Sequence, residues 1–156
     1  LPTKIIIEFI MLPKPIRIIV VDDHRLVRES WKFFLADYSH FNVIDECKNG
    51  KEALEKALSL RPDVMLVDIN MDPMNGFEVA KEVAKLDNSI RVVGLSVNNE
   101  PKTAIKMLRS GAMGYITKTS PFEEIVRCIE EVHNGNKYMC EEIRKRMSPE
   151  DIDRHL

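Results

Sequence analysis

The sequence predicts a doubly wound α/β fold, a single parallel sheet with helices on both faces. The first sign is alternation: from Ile16 to about Gly135, short apolar runs take turns with amphipathic stretches. Uninterrupted apolar runs suit strands covered on both faces. The stretches between them repeat apolar residues at i, i+3 and i+4, the spacing of a helix with one buried stripe. The second sign is where the runs end. Residues 16–21 run into Asp22 and Asp23, 64–67 into Asp68, 92–95 into Ser96, and 113–117 into Lys118. Right-handed crossovers keep such strands parallel and bring their carboxyl ends to one edge. Ligands of open α/β sheets bind outside that edge, at the switch point of the topology.

Each element is signed in turn. After strand one, helix one sets Leu26, Val27, Trp31, Phe34 and Leu35 on one face. Strand two, near residues 42–47, has the weakest pattern, with Asp45 and Glu46 inside it. Helix two carries Ala53, Leu54, Ala57 and Leu58, and Arg61-Pro62 closes it. Strand three follows, then helix three with Phe77, Ala80, Val83 and Ala84. Strand four leads to helix four, which carries Ala104, Met107 and Leu108. Strand five leads to helix five, with Phe122, Ile125, Ile129 and Val132, closed by Asn134-Gly135. Asn49, Asn75 and Ser120 each stand three residues before a glutamate, the spacing of a capping box. Pro121 then falls at the first helical position, where its missing N–H costs nothing.

Composition bounds the rest. A length of 156 residues suits one domain with its own core. A formal charge of −2 gives no general pull toward nucleic acid or membrane. Cys47, Cys128 and Cys140 are odd in number and form no C-x-x-C pair. They read as reduced thiols of a cytoplasmic protein. The apolar run at residues 5–11 is too short for a membrane span and is broken by Glu8. Residues 1–13 are expected to be an N-terminal extension, foreign to the domain or a flexible arm, with Met11 as a natural start. Residues 138–156 are polar and expected to be a linker or tail that supplies no second core.

The strand-end residues point to phosphoryl chemistry. A carboxylate at a strand end, Asp68, can act as a nucleophile toward phosphorus. Carboxylates crowded at one edge repel, which raises at least one pKa. A divalent cation resolves the conflict, and an all-oxygen donor set selects Mg²⁺. Asp23 and Asp68 are the expected direct ligands, with Asp22 acting through water and the Asn70 backbone carbonyl completing the protein's share. Lys118 and Ser96 would meet phosphoryl oxygens. Singly, each residue reads as an ordinary turn, cap or solvated residue. Their joint placement argues for a site. His24 is expected to point to solvent at a helix start, and Met71 and Met74 to be packing residues.

These residues resemble the receiver domain of two-component response regulators. The resemblance is carried by Val20-Val-Asp-Asp23, Asp68 with Gly76 eight residues on, Leu95-Ser96 and Gly114-Tyr-Ile-Thr-Lys118, and it covers residues 14–137. It implies a flavodoxin-like sheet of five parallel strands in the order 2-1-3-4-5. It also implies that Asp68 is the phosphoacceptor, charged by a phosphohistidine of a sensor histidine kinase, with Asp22 and Asp23 as the acidic metal pair. Ser96 and Tyr115 resemble the switch pair, Tyr115 rotating into space that Ser96 vacates, and Lys118 resembles the family's lysine. Asp22-Asp-His24, Leu26-Val-Arg-Glu29, Ser110-Gly-Ala-Met-Gly-Tyr115 and Asn134-Gly-Asn-Lys-Tyr138 resemble the LuxR-type (NarL/FixJ-like) transcriptional regulators. That branch implies transcriptional output through a DNA-binding helix-turn-helix domain absent from these residues, and a possible homodimer on phosphorylation. An excised receiver is the expectation, and a stand-alone receiver or phosphorelay protein the alternative. An aspartyl-phosphate phosphohydrolase would need a second Asp two residues after the nucleophile, where Asn70 stands and cannot trade protons. Two departures from the family stand out. Asp72 precedes Pro73 where the family has proline four residues after the phosphoacceptor. Thr119 follows Lys118, where a cis bond before a non-proline would cost about 3 kcal/mol, so trans is the default.

Overall fold

The computed structural model describes residues 2–6 and 13–156. Residues 3–6 form a single exposed helical turn, and the rest of the apolar run at 5–11, with Met11, lies outside the described residues. The strands are β1 (Ile16–Val21), β2 (Phe41–Cys47), β3 (Val64–Asp68), β4 (Arg91–Ser96), β5 (Gly114–Thr117) and β6 (Tyr138–Met139). The helices are α1 (Arg25–Leu35), α2 (Gly50–Leu60), α3 (Gly76–Leu86), α4 (Pro101–Arg109), α5 (Phe122–His133), α6 (Glu141–Arg144) and α7 (Pro149–His155). All strand pairs are parallel.

The sheet runs β2-β1-β3-β4-β5-β6. The order 2-1-3-4-5 is as expected, but six strands replace five. The sixth is only two residues long and pairs Tyr138 and Met139 with Gly114 and Tyr115. Such a strand is too short to carry a period, so it leaves no mark in a hydrophobic pattern. Met139, Cys140, Ile143 and Met147 are buried and join the main core. The polar appearance of residues 138–147 therefore hides an apolar face that packs on the domain.

The core lies on both faces of the sheet. β3 is buried along its whole length, as a central strand should be. α2 packs beside α3 and α3 beside α4. α1 meets the start of α5 where Phe34 stacks on Phe122, centroids 4.0 Å apart. Four expected stripe residues, Leu26, Leu58, Ala84 and Phe122, are exposed. Each lies at the edge of its stripe or in a first turn, where the helix overhangs the sheet. The edge strand β2 explains its weak signal. A bulge between Ile18 and Ile19 shifts the register, leaving Ile44 without a partner on β1. One extra residue flips the alternation midway.

Two of the three capping boxes form. Asn49 accepts from the Glu52 N–H at 2.9 Å and Asn75 from the Glu78 N–H at 3.0 Å. The third does not. α5 begins at Phe122 with Pro121 as its cap residue, and no side chain caps it. The Ser120 hydroxyl is instead paired with that of Thr117, 2.9 Å away. Among the described residues no helix is long and apolar enough to cross a membrane.

Candidate functional site

Strand register assembles the site. Val21 lies opposite Val67, so Asp22 continues β1 where Asp68 closes β3. Asp68 lies opposite Leu95, and Ser96 opposite Thr117. Backbone bonds extend these ladders past the strand ends. The Asp22 N–H donates to the Cys47 carbonyl, that of Ile69 to Leu95, and that of Lys118 to Ser96, at 3.0, 3.0 and 2.8 Å. Asp22, Asp68, Ser96 and Lys118 therefore converge on one edge, as the sequence anticipates.

Asp22 and Asp68 are each only 1% exposed. The Lys118 ammonium bridges them, with Nζ 3.3 Å from Asp68 Oδ1 and 3.4 Å from Asp22 Oδ2. Burial raises the Asp68 pKa above its ordinary value, and the nearby Asp22 charge adds to the effect. Lys118 and the Asn70 N–H, 3.3 Å from Asp68 Oδ1, pull the other way. Asp23 is exposed beside them. Among the described residues no buried side-chain nitrogen or oxygen lacks a partner.

His24 stands at the helix start and faces solvent, as expected, but its ring also reaches the acidic pair. Its ring is two-thirds exposed, yet Nδ1 lies 2.8 Å from Asp23 Oδ1 and 3.1 Å from Asp22 Oδ1. Its backbone N–H also donates to Asp22 Oδ1, at 2.9 Å. One ligand atom from each of Asp22, Asp23, His24 and Asp68 falls within 4.8 Å of the others. This donor set can hold a metal ion. The Asn70 carbonyl accepts no hydrogen bond among the described residues, so it too is free to face a cation.

Behind Lys118, Ser96 and Tyr115 meet at one residue that sequence reasoning overlooked. Ser96 Oγ accepts from the Asn98 N–H at 3.0 Å, and the Tyr115 hydroxyl donates to the Asn98 carbonyl at 2.5 Å. Tyr115 is fully buried, and burial pushes its hydroxyl pKa up to about 12. The Tyr115 ring already lies inside in this structure. Only the contiguity of Asn98 with Ser96 could have signalled its role. The one cis peptide among the described residues is Asp72-Pro73, so Lys118-Thr119 is trans. Asp72 is exposed, and Met71 is buried as a packing residue.

Fold and site together define a class: a doubly wound α/β protein whose carboxyl edge joins an acidic cluster to a lysine. A family model described as the response regulator receiver domain matches residues 18–130. The response regulator GacA of Pseudomonas viridiflava is 35% identical over 133 residues, covering 85% of this chain and 62% of that protein. The response regulator protein VraR of Staphylococcus saprophyticus is 36% identical over 133 residues, covering 85% and 64%. This chain spans about three-fifths of the length of these curated relatives. Among solved structures, a LuxR-family two-component response regulator from Aurantimonas sp. SI85-9A1 superposes with a TM-score of 0.84 at 27% identity, covering 89% of this chain and 99% of that one. The signal receiver domain of the putative response regulator NarL from Mycobacterium tuberculosis gives 0.75 at 35% identity, covering 80% and 100%.

The chain belongs to the response regulator receiver family. It is a receiver domain of the two-component type, akin to those of LuxR-family regulators, and its family is one of signalling domains.

Proposed function

We propose that Asp68 is the phosphoacceptor, taking a phosphoryl group from a phosphohistidine of a sensor histidine kinase. The observation that carries this reading is the buried Asp68 carboxylate at the end of β3, with the Lys118 ammonium 3.3 Å from it. An Asp68 oxygen attacks phosphorus, the P–N bond breaks, and the donor imidazole leaves. Phosphoryl transfer asks mainly for positioning and charge stabilisation. Lys118 supplies a positive charge to one phosphoryl oxygen, and Ser96 can donate its hydroxyl to another. A cleft of about 440 Å³ opens beside them, lined by Asn70, Phe77, Ser96, Lys102 and Lys106 among others. Its two lysines give an approaching phosphodonor a positive lip.

The donor set suits Mg²⁺. Asp23, Asp68 and the Asn70 carbonyl would hold it, with Asp22 through water. When bound, the cation neutralises carboxylate and phosphoryl charge. The protein does no turnover chemistry in this reading beyond slow self-dephosphorylation. Residues 14–137 carry the receiver's alternating elements and 138–147 close its core, with 1–13 an N-terminal extension and the rest of 138–156 leading toward output. That output is transcription through a DNA-binding helix-turn-helix domain, with a homodimer formed on phosphorylation, in the cytoplasm.

Treating the protein with acetyl phosphate and Mg²⁺ should add the mass of one phosphoryl group. EDTA or Asp68→Asn should abolish the gain. An equal gain in Asp68→Asn would overturn the assignment.

A further inference from the structure

We propose that residues 138–147 form a strap whose seating on the β4–α4 loop is coupled to phosphorylation of Asp68, with the Glu142 carboxylate as the coupling contact. This rests on the reading of Asp68 given above. Three polar side chains of the receiver converge on Glu142. Asn99 Nδ2 donates to Oε1 at 3.0 Å, while the hydroxyls of Thr117 and Thr119 donate to Oε2 at 2.8 and 3.2 Å. Those bonds hold the Glu142 carboxyl below its ordinary pKa, the Asn99 and Thr117 bonds foremost.

The donors come from two segments, and each segment carries a group that faces the acceptor. Thr117 and Thr119 flank Lys118, whose ammonium lies on Asp68. Asn99 follows Asn98, whose N–H rests on Ser96 Oγ and whose carbonyl holds the Tyr115 hydroxyl. Asn99 Oδ1 also accepts from Arg146 of the strap at 3.3 Å. A phosphoryl group on Asp68 competes for Lys118 and for the Ser96 hydroxyl. Once Ser96 turns to it, Asn98 loses an anchor and Asn99 moves with the loop. Both sets of donors then leave the geometry that Glu142 requires. Tyr115 is already inside, so the loop and the β5–α5 turn are the parts left to move.

The rest of the strap is built to seat firmly when those contacts are made. The Tyr138 N–H donates to the Met113 carbonyl and the Cys140 N–H to that of Tyr115, at 2.9 and 3.0 Å. The Glu141 N–H donates to the Glu124 carboxylate of α5 at 2.6 Å. Ile143 and Met147 fill the core between them. Coupling between two sites is reciprocal in free energy. Because phosphorylation disfavours the seated strap, an unseated strap must favour binding at the acceptor site by the same factor.

Beryllofluoride with Mg²⁺ serves as the probe, its binding followed by fluorine NMR and the strap by amide hydrogen exchange. In wild type, exchange across residues 138–147 should speed up about tenfold or more on binding. Glu142→Ala should exchange quickly there without the probe and bind it at least about fivefold more tightly. Asn99→Ala breaks the same contact from the receiver side and should shift both readouts the same way. Binding in wild type with unchanged exchange at 138–147, or wild-type affinity in both variants, would overturn the strap and leave Asp68 standing. No bound fluorine signal in wild type would overturn the reading of Asp68 and the strap with it.

Discussion

Gly76 shows how closely the acceptor loop is folded. A Cβ built there would lie 2.7 Å from Ile69 Cα and 2.8 Å from the Asp68 carbonyl oxygen. Both are backbone atoms, and the Gly76 N–H also donates to the Ile69 carbonyl at 2.9 Å. In an open helix, alanine would gain about 1 kcal/mol over glycine. Here Gly76→Ala is expected to reverse that sign and cost about 1–3 kcal/mol, the usual range for overpacking. Urea denaturation would measure it. A slower phosphoryl gain from acetyl phosphate should accompany the loss, because the displaced backbone carries Asp68. The spacing from Asp68 to Gly76 was legible in the sequence, as were Asp22, Ser96 and Lys118, because each follows directly on an apolar run. The partnership of His24 with the acidic pair was not, since a ring on an exposed turn has several staggered choices. Asn98 escaped notice for another reason. It acts through its backbone, and backbone groups carry no residue signature.

At the level of elements, β2 is tied to the domain by charge as well as by its parallel pairing with β1. Glu46 receives Arg28 Nε at 2.9 Å and also pairs with Lys32, tying the edge strand to α1. The two ion pairs lower the Glu46 pKa below its ordinary 4.5, Lys32 contributing most, and Lys32 is raised in return. A carboxylate held down in the folded state adds stability above its unfolded pKa and loses it as pH falls through the folded value. Glu46→Gln should therefore be less stable than wild type at pH 7, and the gap should narrow as pH falls below the ordinary glutamate value and close once pH passes the lowered folded one. Thermal melts across that window, at low salt, would show it. The same element explains why pattern reading was least secure here. Two of its seven residues, Asp45 and Glu46, serve ion pairs rather than the core, and the bulge reverses which side the others face.

For the molecule as a whole, the telling boundary is the one after Lys137. The alternation of runs and stripes ends near Gly135, so a domain cut at residue 137 looks complete by pattern alone. The fold places Met139, Cys140, Ile143 and Met147 in the core beyond it. Burying such side chains contributes roughly 1.5 kcal/mol or more apiece, against the entropy of ordering the segment. A chain ending at Lys137 should lose stability on the order of 3 kcal/mol, comparable to a large core truncation. A chain ending at Met147 should lose far less. Equal denaturation midpoints for the two would show that the segment adds nothing to the fold. The order of the five long strands and the two-sided core were readable because each long element repeats its period several times. A two-residue strand and a four-residue helix repeat nothing.

The three groups that grip Glu142 are an amide and two hydroxyls, all neutral. Mobile ions weaken attraction between exposed charges over a Debye length of about 8 Å at physiological ionic strength. Hydrogen bonds from neutral dipoles act at contact distance and carry almost no such tail. The clamp that ties α1 to β2 therefore slackens as salt rises, while the seat of the tail hardly notices. A signal passed through that seat would keep its strength as the salt concentration around the protein changes.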